Sequence, residues 1–430
     1  MLAASGPVTR PTIGGQPPPP PDSPLLKRKH LRVSDLHGIH RLASDATVGI
    51  TNLVEAMHHT ILRTPGILGK PPTGRTRGIT GFVYRSVRGV TRLVGGGLDV
   101  LLERFARIVR DEHTSPEREA VLAALNGVLG DYLAASGNPL ALPMRLYANG
   151  VPLEISRDAL AAAVPEPGGH LVVLVHGLCR NHLQWTRDGH DHGAALARDL
   201  GCTPVYLHYN SGRHISENGR DFADLMQALV RDWPHPIERI SMLGHSMGGL
   251  VARSACHYGA LAHHTWVARL DRLVFLGSPH LGSPLERAGT RADFLIETSP
   301  YTAPFARLGK VRSAGVRDLG HGYLLDEDWQ AASGRKHAGH AAVPLPPGVR
   351  GHAMAASRQQ RPGKAGARTR GDGLVPVDSA LGCSRDAARD LGLPDEQRWI
   401  GYGMGHFDLL HRADAYARIR SWLADGRAVV

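Results

Sequence analysis

Residues 243–250 read LGHSMGGL, and the architecture hangs on whether Ser246 sits on a sharp strand-to-helix turn or in a plain glycine-rich loop. The Gly-x-Ser-x-Gly pattern alone says little in a chain of 430 residues with 51 glycines. Its flanks say more. ERISMLGH (238–245) is a short apolar run of strand length, and LVARSACHYG (250–259) continues with helical character. Glycines at 244, 248 and 249 leave room for a tight turn and close helix packing. A strand–turn–helix of this kind lifts a serine hydroxyl above the carboxyl edge of a sheet. It also sets the Met247 N–H at a helix N-terminus, where a developing oxyanion is stabilised.

Working outward, HLVVLVHG (170–177), TPVYLHYN (203–210), DRLVFLGSP (271–279), VRGHAMAAS (349–357) and EQRWIGYG (396–403) read as further strands. Helical stretches at 190–200, 216–232 and 247–263 alternate with the earlier ones. The pattern predicts an α/β class with a doubly wound, mostly parallel sheet. Ahead of it, MRLYANGVPLEI (144–155) reads as a hairpin turning at Asn149-Gly150. Residues 285–347 interrupt the rhythm, and a connection of that length reads as a cap or lid.

A serine nucleophile needs a base, and the base needs an orienting acid, because the free hydroxyl is hardly ionised at neutral pH. With 25 histidines in the chain, only placement discriminates among them. His406 in YGMGHFDLL (402–410) follows the last strand directly, with His411 as the alternative. For the acid, Asp372 in GDGLVP (371–376) lies after the strand that ends near Ser357, with flanking glycines expected to expose its carboxylate. Asp378 is its competitor. The second oxyanion donor falls to the Leu178 N–H in VLVHGLCRNHLQW (173–185), where His176 takes an architectural or hydrogen-bonding role. Pocket walls are assigned to His176, to Tyr209 in HYNSGRHISENGR (208–220), and to Pro279 and His280 in SPHLGSP (278–284). An ordering role for the 208–220 loop, and a core role for Trp185, stay open. HDHG (190–193) has a metal-like spacing without a third ligand, so no metal site is assigned.

The net charge of +11 is lopsided: residues 1–110 hold sixteen Lys/Arg and six Asp/Glu, a net +10. Residues 1–27, with PPPPP at 17–21, read as a disordered Pro-rich tail, and 28–140 as a basic helical extension. Within it, apolar positions of 77–101 share a helical face with Arg77, Arg85, Arg88 and Arg92 among them. Such a helix either packs on its neighbour domain or lies on an anionic membrane, so residues 28–110 are a candidate for peripheral contact. Nucleic acid is disfavoured, since no recognisable module accompanies the arginines. Four separated cysteines suggest neither a disulfide framework nor a zinc site. The N-terminus lacks a signal-like apolar core and no run is long enough to span a bilayer. A cytoplasmic location, with peripheral attachment to the inner face of the membrane as an option, is the expectation. Oligomeric state is not legible.

Taken together, LVVLVHGL (171–178), LGHSMGGL, GSPHLGS (277–283), GDGLVP and GMGHFDLL (403–410) resemble, in this order, the α/β-hydrolase family. The resemblance is to its bacterial lipase/esterase branch, related to inositol-deacylase-like lipases; it covers about 165–425 and leaves 1–140 outside. It implies a catalytic domain over 141–430 that cleaves carboxylic esters of small-molecule or lipid substrates through an acyl-enzyme, without a cofactor. Ser246 would be the nucleophile, His406 the base and then acid, and Asp372 the orienter, with Leu178 and Met247 N–H groups as the oxyanion hole. An acyltransferase or thioesterase would use the same residues. The non-enzyme alternative is a scaffold or nucleic-acid-binding protein working through the basic N-terminus.

Overall fold

The computed structural model describes residues 34–45, 116–284, 313–333, 342–362 and 370–424. Its frame is a single eight-stranded sheet: β1 Arg145–Ala148, β2 Val151–Pro152, β3 His170–Val175, β4 Thr203–His208, β5 Arg239–His245, β6 Leu270–Leu276, β7 Arg350–Ser357 and β8 Arg398–Tyr402. In space they run β2-β1-β4-β3-β5-β6-β7-β8. β1 pairs antiparallel with β2 and β4, and the remaining pairings are parallel. Asn149 and Gly150 both have positive φ, at 51° and 75°, as the two-residue hairpin turn requires.

The helices, in chain order, are α1 (34–45), α2 Pro116–Ala135, α3 Arg157–Ala163, α4 His192–Leu200, α5 Ile215–Asp232, α6 Met247–Leu261, α7 Ala314–His321, α8 Asp326–Ser333, α9 Val377–Ala380 and α10 Ala413–Ala424. Because helices cover both faces, β3 is buried at every residue and needs no polar alternation. Leu171, Val173 and Val175 enter one core with Phe222 and Val251. Val172 and Leu174 enter the other, with Trp185 and Ile419. The two-residue period of a strand thus serves two cores at once.

Chain direction places the site. From β3 the chain leaves through α4 to β4, then returns through α5 to β5 on the opposite side of β3. A crevice opens where the strand order reverses, outside the carboxyl ends of β3 and β5. His176–Leu178 and Ser246 emerge side by side there.

Helix α2, inside the stretch read as a basic extension, packs directly on this core. A β-carbon at Gly127 would stand 2.2 Å from Cys179 Sγ, so the missing side chain lets α2 reach the loop after β3. Asn210 Nδ2 donates to the Gly130 carbonyl at 2.9 Å, and Ser313 Oγ donates to the Gly127 carbonyl at 2.7 Å. Helix α1 docks on α2 through Arg118, whose Nε and Nη2 each donate to Asp35 at 2.6 Å. The Pro-rich 1–27, the basic face of 77–101, and all of 285–347 except 313–333 and 342–347 lie outside the described residues.

Candidate active site

Ser246 has φ 54° and ψ −123°, a conformation that L residues adopt at a cost of about 1–3 kcal/mol. The turn is pinned: Ser246 N donates to the Leu276 carbonyl at 2.9 Å, and Gly249 N to the Ser246 carbonyl at 3.1 Å. A β-carbon at Gly248 would lie 2.1 Å from the Val175 carbonyl oxygen, so any larger residue would push α6 off β3. Ser246 therefore sits on the strained strand-to-helix turn, not in a plain loop.

His406 opens a 3-10 turn, His406–Leu410, directly after β8. Its Nδ1 lies 2.7 Å from Asp372 Oδ2. The other carboxylate oxygen, Oδ1, accepts from Leu374 N and Val375 N, each at 2.8 Å. The exposed carboxylate expected between Gly371 and Gly373 is not what forms: Asp372 is fully buried. Those two N–H donors and the imidazole replace its hydration, which is why burial is tolerated. With Nδ1–H given to the carboxylate, Nε2 is left as the acceptor. That Nε2 is buried with no partner, and no hydrogen bond joins it to Ser246 Oγ. Both residues line one small pocket, together with Gly177, Leu178, Arg180, His245 and Phe407.

The competitors stand elsewhere. Asp378 is on α9 and His406 pairs with Asp372 instead. His411, at the end of the 3-10 turn, has Nε2 3.4 Å from Asp188 Oδ2. Among the turn and loop hydrogen bonds of the described residues, none takes the N–H of Leu178 or of Met247. The loop that carries Leu178 is held by Cys179, which has φ 58° and donates its N–H to Ser211 Oγ at 3.0 Å.

The pocket-wall residues divide. His176 borders an adjoining pocket, with Nδ1 2.9 Å from the Gly177 carbonyl and its ring stacked on Tyr209, centroids 4.3 Å apart. Burial pushes its pKa down to about 3, so it is neutral at ordinary pH. Tyr209 backs it, donating its hydroxyl to the His176 carbonyl at 2.8 Å, and does not border the Ser246 pocket. His280 packs edge-on to Phe275 and meets Arg253 Nη1 at 3.3 Å, also away from that pocket. Pro279 is buried in the turn that leads there, its carbonyl taken by Gly282 N at 2.9 Å. His190 and His192 bond to each other at 2.8 Å, and His192 Nε2 meets the Leu409 carbonyl at 2.8 Å, an architectural use of the HDHG spacing.

Sequence reasoning missed Arg180, His245 and Phe407 as lining residues. The available signal for Arg180 was a cation two positions beyond Leu178, in a loop already assigned to the site. For His245 and Phe407 it was adjacency to Ser246 and His406.

Residues 166–343 match the family model described as a PGAP1-like alpha/beta domain. The eight-stranded, mostly parallel sheet with helices on both faces is an α/β-hydrolase fold. No curated protein matches the chain. Among solved structures, the chain is similar to the mature form of lipase BlEst2 from Bacillus licheniformis, at 18% identity and TM-score 0.39, over 65% of this chain and 97% of that one. It is also similar to the Pyrococcus furiosus esterase Pf2001, at 13% identity and TM-score 0.37, over 60% of this chain and 80% of that one. A third is phospholipase PlaB from Legionella pneumophila, at 17% identity and TM-score 0.31, over 49% of this chain and 44% of that one.

Proposed function

We propose that this chain is a serine esterase or lipase, cleaving carboxylic esters through an acyl-enzyme on Ser246. The observation that carries the reading is one pocket holding a strained Ser246 and the partnerless Nε2 of an Asp372-anchored His406. In the proposed reaction Ser246 Oγ attacks the ester carbonyl carbon while His406 Nε2 takes its proton. The carbonyl oxygen becomes an oxyanion facing the Leu178 and Met247 N–H groups. Collapse expels the alcohol, which leaves with the proton from His406. Water then attacks the acyl-enzyme with His406 again as base, releasing the acid and restoring Ser246. Asp372 keeps the imidazole in the tautomer that both steps require. Substrate contact with His176 stays in the proposal, as does a contribution of Tyr209, Pro279 and His280 to the wider pocket wall.

The same reading keeps 285–347 as a cap on a catalytic domain over 141–430. The described helix α7 supports it, because it packs between α2 and the loop after β4: Ala314 N donates to Asp131 Oδ2 at 2.8 Å, and Gly315 N to the Gly212 carbonyl at 3.0 Å. Among the described residues no helix is long and apolar enough to cross a membrane. Peripheral docking through residues 28–110 is the membrane mode proposed, and vesicle flotation of the full chain with neutral and anionic lipids tests it. The enzymatic reading is tested with an ester panel of graded acyl length. Wild type should turn over part of the panel, and Ser246→Ala should reduce that to background. Equal turnover by both proteins would remove Ser246 from the chemistry.

A further inference from the structure

Arg180 is buried, at 9% exposure, and borders both the Ser246 pocket and the pocket adjoining it. Other buried arginines have acceptors. Arg253 donates to the Val343 carbonyl at 2.6 Å, and Arg272 donates to the Trp422 carbonyl at 3.0 Å. Arg180 has none among the described residues: its Nε is open, as that of Arg253 also is, but no other nitrogen of Arg180 finds an acceptor and no carboxylate pairs with it. Its guanidinium lies over the Phe407 ring, 4.2 Å from the centroid, a contact that holds a cation without neutralising it. Arg187 brings a second guanidinium within 5.6 Å of the same ring. Burial first, then Arg187, pushes the Arg180 pKa down to about 10, which leaves it charged at neutral pH.

The rest of the adjoining pocket repeats the imbalance. It is bordered by Asn181, Gln184 and Trp185 as well as Arg180. Asn181 Oδ1 accepts from Leu183 N at 3.1 Å, which fixes the amide and leaves Nδ2 as a donor. That Nδ2 and the indole Nε1 of Trp185 are both buried without an acceptor. Three buried donors on one six-residue stretch, one of them on a cation, thus lack an acceptor among the described residues, and all three residues border one pocket. Buried donors are ordinarily satisfied, and a buried charge ordinarily has a counter-charge.

We propose that residues 180–185 form an anion-binding subsite beside Ser246, and that the ester cleaved there carries its own phosphate or carboxylate, gripped by Arg180. The inference rests on the esterase reading for the location of the chemistry, but the subsite is readable without turnover. Arg180 acts as a specificity determinant: its fork donates to two anionic oxygens, while the loop that carries it also carries Leu178. Fixing the anion fixes the scissile carbonyl relative to Ser246.

The test uses the full chain and three esters of one acyl group: glycerol monobutyrate, its 3-phosphate, and the butyrate of glyceric acid. Wild type should favour one or both anionic esters by at least about tenfold in kcat/KM, and their order identifies phosphate or carboxylate. Arg180→Gln should collapse that ratio. Asn181→Asp, which keeps the turn-capping oxygen and supplies an internal anion, should collapse it as well, and covers the case in which Arg180→Gln does not fold. Independently of turnover, inorganic phosphate at constant ionic strength should raise the thermal midpoint of wild type and not that of Asn181→Asp. Neutral ester turned over through Ser246, with no anion preference and no phosphate effect, would overturn the subsite alone. A phosphate effect without turnover of any ester would instead keep the subsite and overturn the esterase reading.

Discussion

His406 and Arg180 border the same pocket and are both buried, yet their surroundings are opposite. His406 has a built-in counterpart, and Asp372 in turn has two backbone donors, so every polar side-chain atom of the pair but the buried Nε2 is satisfied. Arg180 has an aromatic ring and a neighbouring cation, and no acceptor among the described residues. A completed network costs the fold little, because the donors and acceptors replace water. An uncompleted one costs stability until a ligand arrives. The first arrangement suits a group that must hold one orientation through a reaction; the second suits a group that waits for a substrate.

The largest effect that bears on this contrast comes from Asp372→Asn. Its amide can present the wrong hydrogen-bonding group to Nδ1, and a mis-set imidazole tautomer lowers kcat by about 10⁴-fold. Steady-state kinetics on any accepted ester checks it, with Asp378→Asn as the control expected to retain activity. Full activity in Asp372→Asn would detach the His406 pair from the chemistry.

Stability should separate the two regions in sign. Asp372→Ala removes an acceptor of three hydrogen bonds and strands two buried N–H groups, a loss of about 2–4 kcal/mol. Arg180→Met removes a buried charge that has no partner, and should raise stability by about 1 kcal/mol or more while reducing function. Denaturant unfolding of both variants measures this, and destabilisation by Arg180→Met would show that the guanidinium is satisfied after all.

Acid should act on a third group of residues behind the site. Burial pushes the pKa of His176 down to about 3 and that of His182 to about 4, and holds His208 well below the usual range. His182 Nδ1 and His208 Nδ1 are 3.1 Å apart, so at most one of them carries the shared proton. The unfolded chain protonates these rings near pH 6.5, whereas the folded chain does not until far lower. Their contribution is thus complete above pH 6.5 and is lost as pH falls below it, by about 1.4 kcal/mol per pH unit for each ring. Thermal midpoints should drop steadily from pH 7 to pH 5, and less steeply in His182→Gln. A flat profile would mean that the rings are accessible and charged in the folded state.

The smallest effect is local. Asp35→Asn weakens the link between α1 and α2, costing on the order of 1 kcal/mol, and hydrogen exchange should quicken over 34–45 while the sheet is unaffected. Equal quickening across β3 and β5 would mean that α1 is an integral part of the core.

The legibility of these regions in the sequence follows the same physics. Strands β3 to β8 and helices α4, α5 and α6 were readable because each is a short apolar run or a helical repeat with its own turn signals. That Ser246, His406 and Asp372 come together was readable because the proposed chemistry demands them at strand ends in a fixed order. The burial of Asp372 was not, because GDGLVP looks like an open turn until its carboxylate is seen to fold onto Leu374 N and Val375 N. Nor was the role of Arg180: an unpaired cation is defined by acceptors that are absent in space, and no local pattern encodes that. The packing of α2 against Cys179 was equally hidden, since Gly127 reads as a poor helix residue rather than as a contact.

The most direct measurement is covalent. A fluorophosphonate probe, incubated with the folded full chain and mapped by peptide mass spectrometry, reports whether one hydroxyl is activated above all others. The account predicts a single adduct on Ser246, slowed strongly in His406→Ala and absent in Ser246→Ala. An adduct on another residue, or labelling at the same rate in His406→Ala, would contradict it.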